Sequence, residues 1–367
     1  MRILQLIHDR ERGGVQKLAA MIEAGLRPQR FEIETVYLYP RPGTPFYAKF
    51  LYALRAAQQI WRGGYDAVIA YQSTASILAG FVGALSGCRL RVVHQTCMPG
   101  ETARPLRLMD KVVGALGLYS ANIVNSAATW AEFARYPARY RRSMLLIEHG
   151  LDAPLASRDR TETRRRFDLP LRQPLLLNVG RLAEQKNQDV LIRALACLPQ
   201  AHLVLAGAGR EHETFHELAV TLGVDDRLHM LGALPDEDIA DLYAAADLFV
   251  FPSTWETFGL AAVEAAMTGL PMVVADLPAL REVLRTDNPD RVTFVKPHDL
   301  EGWIAAIGQA LTRPPVARTA TAFARALASK YSKARMIESY LSLFAAQVRR
   351  DRDEITGLPQ AAEEARP

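Results

Sequence analysis

Cysteine is scarce: the 367 residues hold three, Cys88, Cys97 and Cys197, with no CxxC pair. This excludes a disulfide framework and suits a reduced cytosol. Long apolar runs are missing too. The longest, "ASILAGFVGALSG", falls short of the roughly 20 residues a membrane span needs. The amino terminus, "MRILQLIHD", meets charge too soon for a signal peptide and reads as a first buried strand. A GxGxxG fingerprint is absent: "RGGVQ" lacks it, and "GAGREH" has histidine at the third glycine position, which speaks against a nicotinamide dehydrogenase. No basic–aromatic nucleic-acid motif and no repeat of solenoid length occur.

What is present is an α/β chain of ordinary composition, long enough for two cored domains. Its net charge of +4 hides an asymmetry: residues 1–150 hold 19 Lys and Arg against 10 Asp and Glu, the rest 25 against 30. A basic front and an acidic back suggest different partners for the two halves, with an anionic membrane surface or a phosphate-bearing substrate favoured for the front. Short apolar runs alternate with amphipathic stretches, which predicts parallel sheets. Six strands are expected before residue 150, from "RILQLIH" to "SMLLIEHG", and six after 174, from "PLLLNVGRL" to "RVTFVK". The polar stretch 152–174 reads as a linker with a short surface helix. The expected units are a first domain (1–155), a second domain (156–329), a helical segment (330–348) and a disordered tail (349–367). Two doubly wound domains would face each other across a cleft at their strand carboxyl ends.

The second half concentrates chemistry. Arg181 ends a strand in "NVGRLAEQKN", and Lys186 follows where a helix begins. A cation there opposes the helix dipole, so its presence makes sense beside a bound anion. In "FPSTWETFGLAAVEAAMTGLP", Thr257, Phe258 and Gly259 lead into a helix whose first N–H groups form a ready phosphate site. Glu256 precedes this helix and Glu264 is expected about two turns along it, roughly 10 Å away. Carboxylates suit hydroxyls and repel phosphate. A sugar nucleotide would therefore meet glutamates at its ends, and cations and N–H groups at its diphosphate. As an isolated pair the glutamates are more often a helix charge and a cap; the surrounding cations favour the ligand.

With "GGVQ" at 13–16, "LAGAG", "MLGALPDEDIADLYAAADLFVFPS" and "LREVL", these segments resemble family 4 of the retaining glycosyltransferases, which have the GT-B fold. The resemblance covers most of residues 1–348 and is most specific from about 174 to 284. It implies that Arg181 and Lys186 hold the donor diphosphate, Glu256 the transferred sugar and Glu264 the ribose. It further implies main-chain contacts from Phe258, Gly259 and Leu260, beside Thr257, and a base near Gly232, Ala233 and Leu234. The domain roles it implies are acceptor binding for 1–155, nucleotide-sugar binding for 156–329 and a return of the helix over 330–348 to the first domain. His94, ending "LRVVHQT", would contact the donor sugar as in similar enzymes; a buried structural histidine is the alternative. Gly13 and Gly14 would let backbone approach the donor or acceptor, or simply serve a tight strand–helix turn. "IEHGLD" departs from the family's Asn-Gly at His149. The activity implied is a metal-independent, retaining transfer that forms an α-glycoside on a lipid-linked or polysaccharide or lipopolysaccharide precursor, with no cofactor. A non-catalytic sugar-nucleotide-binding module shares these motifs.

Two further motifs compete. His212-Glu213-Thr214-Phe215-His216 is a literal HExxH, as in zinc peptidases. The stripe Phe215, Leu218, Ala219, Leu222 would turn both histidines off the packed face, and no third ligand is apparent. "PDED" at 235–238 resembles a DxD metal site but more simply caps the next helix. Finally, "TPFYAKFLYALRAAQQIWRG" and "ARYPARYRR" join aromatics with cations, either as packed helices or as a peripheral contact with anionic lipid on the inner face of the cell membrane.

Overall fold

The computed structural model describes residues 1–11, 13–40, 43–285, 291–313 and 322–356. The first domain holds strands β1 (Arg2–Ile7), β2 (Glu32–Tyr37), β3 (Ala67–Tyr71), β4 (Leu90–His94), β5 (Ala121–Val124) and β6 (Met144–Leu146). Helices α1 (Gly14–Leu26), α2 (Phe46–Arg62), α3 (Ser73–Leu85), α4 (Arg104–Ala115), α5 (Ala127–Ala131) and α6 (Ala138–Arg142) connect or follow them. The strands pair in parallel in the order β2-β1-β3-β4-β5-β6. Both sheet faces are covered, which is why a strand such as "AVIAY" is apolar throughout and buried at every residue.

The second domain repeats the plan with β7 (Leu175–Val179), β8 (His202–Ala206), β9 (Leu228–Gly232), β10 (Leu248–Phe251), β11 (Met272–Ala275) and β12 (Val292–Val295). Its helices are α7 (Arg160–Arg166), α8 (Gln188–Ala196), α9 (His212–Leu222), α10 (Asp236–Ala245), α11 (Leu260–Met267), α12 (Pro278–Val283), α13 (Leu300–Thr312) and α14 (Ala322–Lys330). The order is β12-β11-β10-β7-β8-β9. The expected pair of doubly wound α/β domains is therefore the fold. The start of the helical pattern read near Ala317 lies outside the described residues.

The stretch 152–174 is more than a linker. Arg164 of α7 is fully buried and donates to Ala245 O, Pro170 O, Gln173 O and Asp247 Oδ2 at 2.7–3.1 Å. A run of three arginines reads as solvated, but a buried guanidinium is tolerated when its charge is paired and most of its donors are used, as here with four of the five. The segment is thereby fastened to the second domain.

Helix α15 (Lys333–Thr356) returns to the first domain. Met336, Ile337, Tyr340 and Phe344 join Leu18, Ile22 and Leu26 of α1 over one sheet face. Helices α2, α3 and α4 cover the other through Ile60, Ala75, Ala79 and Val113. The helix continues to Thr356, through the first residues of the tail read as disordered from 349; residues 357–367 lie outside the described residues. The chain thus crosses between domains twice, and the crossings touch. Leu151 N donates to Tyr331 O at 2.7 Å, and Lys333 N to Leu151 O at 3.3 Å. A side chain at Gly150 would put its Cβ 2.5 Å from Ser332 O, so glycine is what lets them lie side by side.

Candidate active site

The carboxyl ends of β7, β8 and β10 meet at the cleft. Gly207 lets β8 come so close to β7 that a Cβ there would lie 1.8 Å from Gly180 O. Beyond β7, the loop carrying Arg181 and Lys186 is stitched to the loop beyond β10. Gln188 Nε2 donates to Arg181 O at 2.8 Å, Thr254 N to Gln185 O at 2.8 Å, and Asn187 Nδ2 to Pro252 O at 3.2 Å. Asn187 sits at φ 53°, a left-handed conformation that asparagine tolerates, and so turns the chain into α8. Lys186 Nζ lies 2.5 Å from Glu256 Oε1 and 5.0 Å from the Phe251 ring centre. Both members of this pair are largely buried. Arg181, half-exposed, has among the described residues a single long ion-pair contact, 3.9 Å to Glu11 across the cleft.

Gly259, at φ 83°, precedes α11, and no side chain caps the first turn of that helix. The left-handed φ is what calls for glycine here; a Cβ would also meet the end of the Leu280 side chain, Cδ2, at 2.6 Å. The helix starts at Leu260, which places Glu264 one turn along it rather than the two expected. Glu264 is not vacant. Its Oε1 is 2.5 Å from Lys17 Nζ of α1, and its Oε2 accepts from Tyr243 OH at 3.2 Å. Lys17 also lies 3.1 Å from Asp236 Oδ2. Burial alone lowers the Lys17 pKa, but Glu264 and Asp236 outweigh it and hold the ammonium above the usual lysine value. Asp236 therefore serves the interdomain contact rather than capping α10, which has no side-chain cap. Asp238 of the same "PDED" is buried against Arg158 and Arg166, each at 3.2 Å.

A polar seam joins the domains beside this site. Asn125 Nδ2 donates to Thr257 Oγ1 at 3.0 Å and contacts His149 Nε2 at 2.9 Å, while Ser126 Oγ donates to Thr257 O at 2.8 Å. The Glu282 carboxylate accepts from Ala127 N and Ala128 N, both at 2.7 Å, across the interface. Phe258 packs its ring between His149 and Tyr331, at 5.0 and 5.2 Å. Gly14 faces Leu260 so closely that a Cβ would meet Leu260 Cδ1 at 3.2 Å. Gly232 ends β9 at φ 69°, followed by exposed Ala233 and half-buried Leu234.

His94 is not brought to the open cleft. It is 2% exposed, its ring 4.5 Å from that of Tyr71 and 5.8 Å from that of Tyr340 on α15. Burial, helped by nearby His149, pushes its pKa down to about 3; burial likewise brings His149 to about 4. Sequence reasoning put His94 at the strand end and expected a helix over 330–348 to return to this domain, but had no signal that Tyr340 of that helix would cover His94. It also missed Lys17, Asn125, Ser126 and Glu282, whose partners lie more than 120 residues away. The HExxH histidines are exposed on α9, and among the described residues no three His, Cys, Asp or Glu side chains gather as a metal site.

Residues 159–327 match the family described as glycosyl transferases group 1. The chain carries a group 1 glycosyltransferase domain. It is 35% identical over 237 residues to a D-inositol 3-phosphate glycosyltransferase of Salinispora tropica, covering 58% of this chain and 48% of that one. To the protein of that name from Xylanimonas cellulosilytica it is 30% identical over 275 residues, 71% of this chain and 65% of the other. The chain spans about half the length of the curated relatives it matches here. In fold it resembles Anabaena Alr3699/HepE in complex with UDP-glucose, with a TM-score of 0.79 at 21% identity over 94% of this chain and all of that one. Sucrose-phosphate synthase of Thermosynechococcus elongatus follows at 0.76 and 21%, with the same coverage.

Proposed function

We propose that the protein is a retaining glycosyltransferase that moves a sugar from a nucleoside-diphosphate sugar to an acceptor hydroxyl, forming an α-glycoside. The observation that carries this reading is the grouping of Arg181, Lys186 and Glu256 at the cleft with the uncapped start of α11 and Glu264. The Anabaena protein of like fold binds UDP-glucose, which supports this donor class. Arg181, Lys186 and the N–H groups after Gly259 take the diphosphate; Glu256 takes hydroxyls of the transferred sugar; Glu264 takes the ribose. Main chain at Thr257, Phe258, Gly259 and Leu260 lines sugar and phosphate, Gly14 approaches from the facing domain, and the base lies by Gly232, Ala233 and Leu234.

The bond from the sugar's anomeric carbon to the β-phosphate oxygen breaks while the acceptor oxygen bonds to that carbon on the same face. The acceptor proton passes to the departing phosphate oxygen. Negative charge grows on the diphosphate, where the cations and the helix start oppose it without a metal or cofactor. The protein otherwise supplies orientation. A lipid-linked or saccharide precursor at the inner membrane face fits the cationic first domain as acceptor. The test is donor hydrolysis and transfer with UDP-, GDP- and ADP-sugars, reading the anomeric configuration of the product by NMR. An inverted product, or no turnover of any donor by folded protein, would overturn the reading.

A further inference from the structure

The helix layer of α2, α3 and α4 carries an outward apolar surface that no other part of the described chain covers. On α2, Tyr47, Phe50, Leu51, Leu54 and Trp61 are all more than half exposed. At helical spacing they fall within an arc of about 100°. Ala56 and Ile60, buried, mark the opposite face. Helix α4 repeats the arrangement with Leu108, Met109, Val112 and Leu116, each 48–63% exposed, in an arc of about 100°. Between them α3, packed against both, adds Phe81 and Leu85 one turn apart. A continuous apolar patch of this kind on a folded chain calls for a partner.

The charges around it identify the partner. Arg55 and Arg62 border the stripe on α2 and Arg104 and Lys111 that on α4, while α3 has no charge; Lys49, over the Tyr39 ring, and Arg107, which donates to Pro99 O, fall on the inward sides of their helices. The single acid of the three helices, Asp110, is buried and accepts from Tyr119 OH and Tyr140 OH at 2.7 Å each. Among the described residues none of these four bordering cations is paired with a carboxylate; Arg55 and Lys111 lie over tyrosine rings instead. Apolar stripes rimmed by cations of one sign match an anionic lipid surface. A second copy of this face would bring cation against cation.

We propose that the α2–α3–α4 face rests on an anionic bilayer, its apolar side chains entering the boundary between headgroups and acyl chains. The amino ends of α2 and α4 lie at the strand carboxyl ends, on the cleft side of the sheet. Docking therefore sets the cleft mouth beside the membrane, where an acceptor held in lipid reaches it without leaving. This inference stands apart from the donor chemistry.

The test is partitioning of the full chain onto vesicles of phosphatidylcholine with or without phosphatidylglycerol. Phosphatidylglycerol should raise retention about tenfold or more, and salt should weaken it. The triple variant Phe50→Ser/Leu54→Ser/Val112→Ser and the charge reversal Arg55→Glu/Arg62→Glu/Arg104→Glu should each cut retention about tenfold. Donor hydrolysis in solution and the thermal melt, read on the same samples, should match wild type, since these side chains lie outside core and site. Equal partitioning to both vesicles would overturn the proposal. So would an apolar variant that binds like wild type, or light scattering that shows a dimer lost in the apolar variant. Because vesicle binding and donor turnover are read separately, failure of one is distinguishable from failure of the other.

Discussion

Lys17 Nζ stands 2.5 Å from Glu264 Oε1, tying the first helix of one domain to the cleft helix of the other. A carboxylate has about four acceptor positions, so Glu264 can hold Lys17, Tyr243 and ribose hydroxyls together. If Glu264 takes the ribose as proposed, closure of the domains and binding of the donor share one side chain.

Replacing Lys17 by Met should loosen closure while leaving each domain folded. The Lys17 pKa is raised, so its contribution is complete below the free lysine value and is lost as pH climbs past about 10.5 into its own higher range. Small-angle scattering should show wild type opening only at that alkaline limit, and Lys17→Met open already at neutral pH. A pH-independent, wild-type-like radius in the variant would refute the latch.

Arg181→Ala and Lys186→Ala should each lower kcat about 10²-fold, equivalent to about 3 kcal/mol. Their stabilities should part. Lys186 neutralises a buried Glu256, and its loss leaves that carboxylate alone, at a cost of about 1–3 kcal/mol. Arg181 is half-exposed with a single long ion-pair contact among the described residues, so its removal should leave the melting temperature nearly unchanged. Calorimetry beside steady-state kinetics checks both halves.

Glu256→Gln should act mainly on kcat, because contacts to the reacting sugar tighten as positive charge grows there. Glu264→Gln should raise donor KM with a smaller fall in kcat. A donor lacking both ribose hydroxyls should lose little further with the Glu264 variant and its full share with the Glu256 variant. An equal penalty in both would remove Glu264 from the ribose.

The buried imidazoles make stability fall in acid. His94 and His149 have folded pKa values near 3 and 4. Both lie below the free value of about 6.5, so their neutral burial is stable above that pH and is eroded as pH drops toward the folded values. Melting temperature should decline below about pH 6.5, and His94→Phe, which keeps the ring packing, should flatten the slope. NMR should find no His94 titration between pH 5 and 8.

The strands were legible because each is covered on both sides and so nearly all apolar, as "AVIAY" and "LFVF" show. Arg181, Lys186, Glu256 and Gly259 were legible because they sit in two short loops beside strand ends. Lys17 was not, since its partner lies 247 residues away and no local pattern encodes such a meeting. Arg164 misled for a related reason: within "TRRRF" nothing distinguishes the arginine that turns inward to Asp247 from its solvated neighbours. The Glu264 position slipped by a turn because the left-handed Gly259 delays the helix to Leu260.

The adjoining crossings at Leu151 and Ser332 also bear on how such chains can be recombined. The first domain is assembled from both ends of the chain, since α1 is packed beneath residues 336–344. Grafting a different second domain onto it therefore needs two splice points, near 151 and 332. A single cut near 155 would send Met336, Tyr340 and Phe344 away with the wrong half and leave Leu18, Ile22 and Leu26 bare.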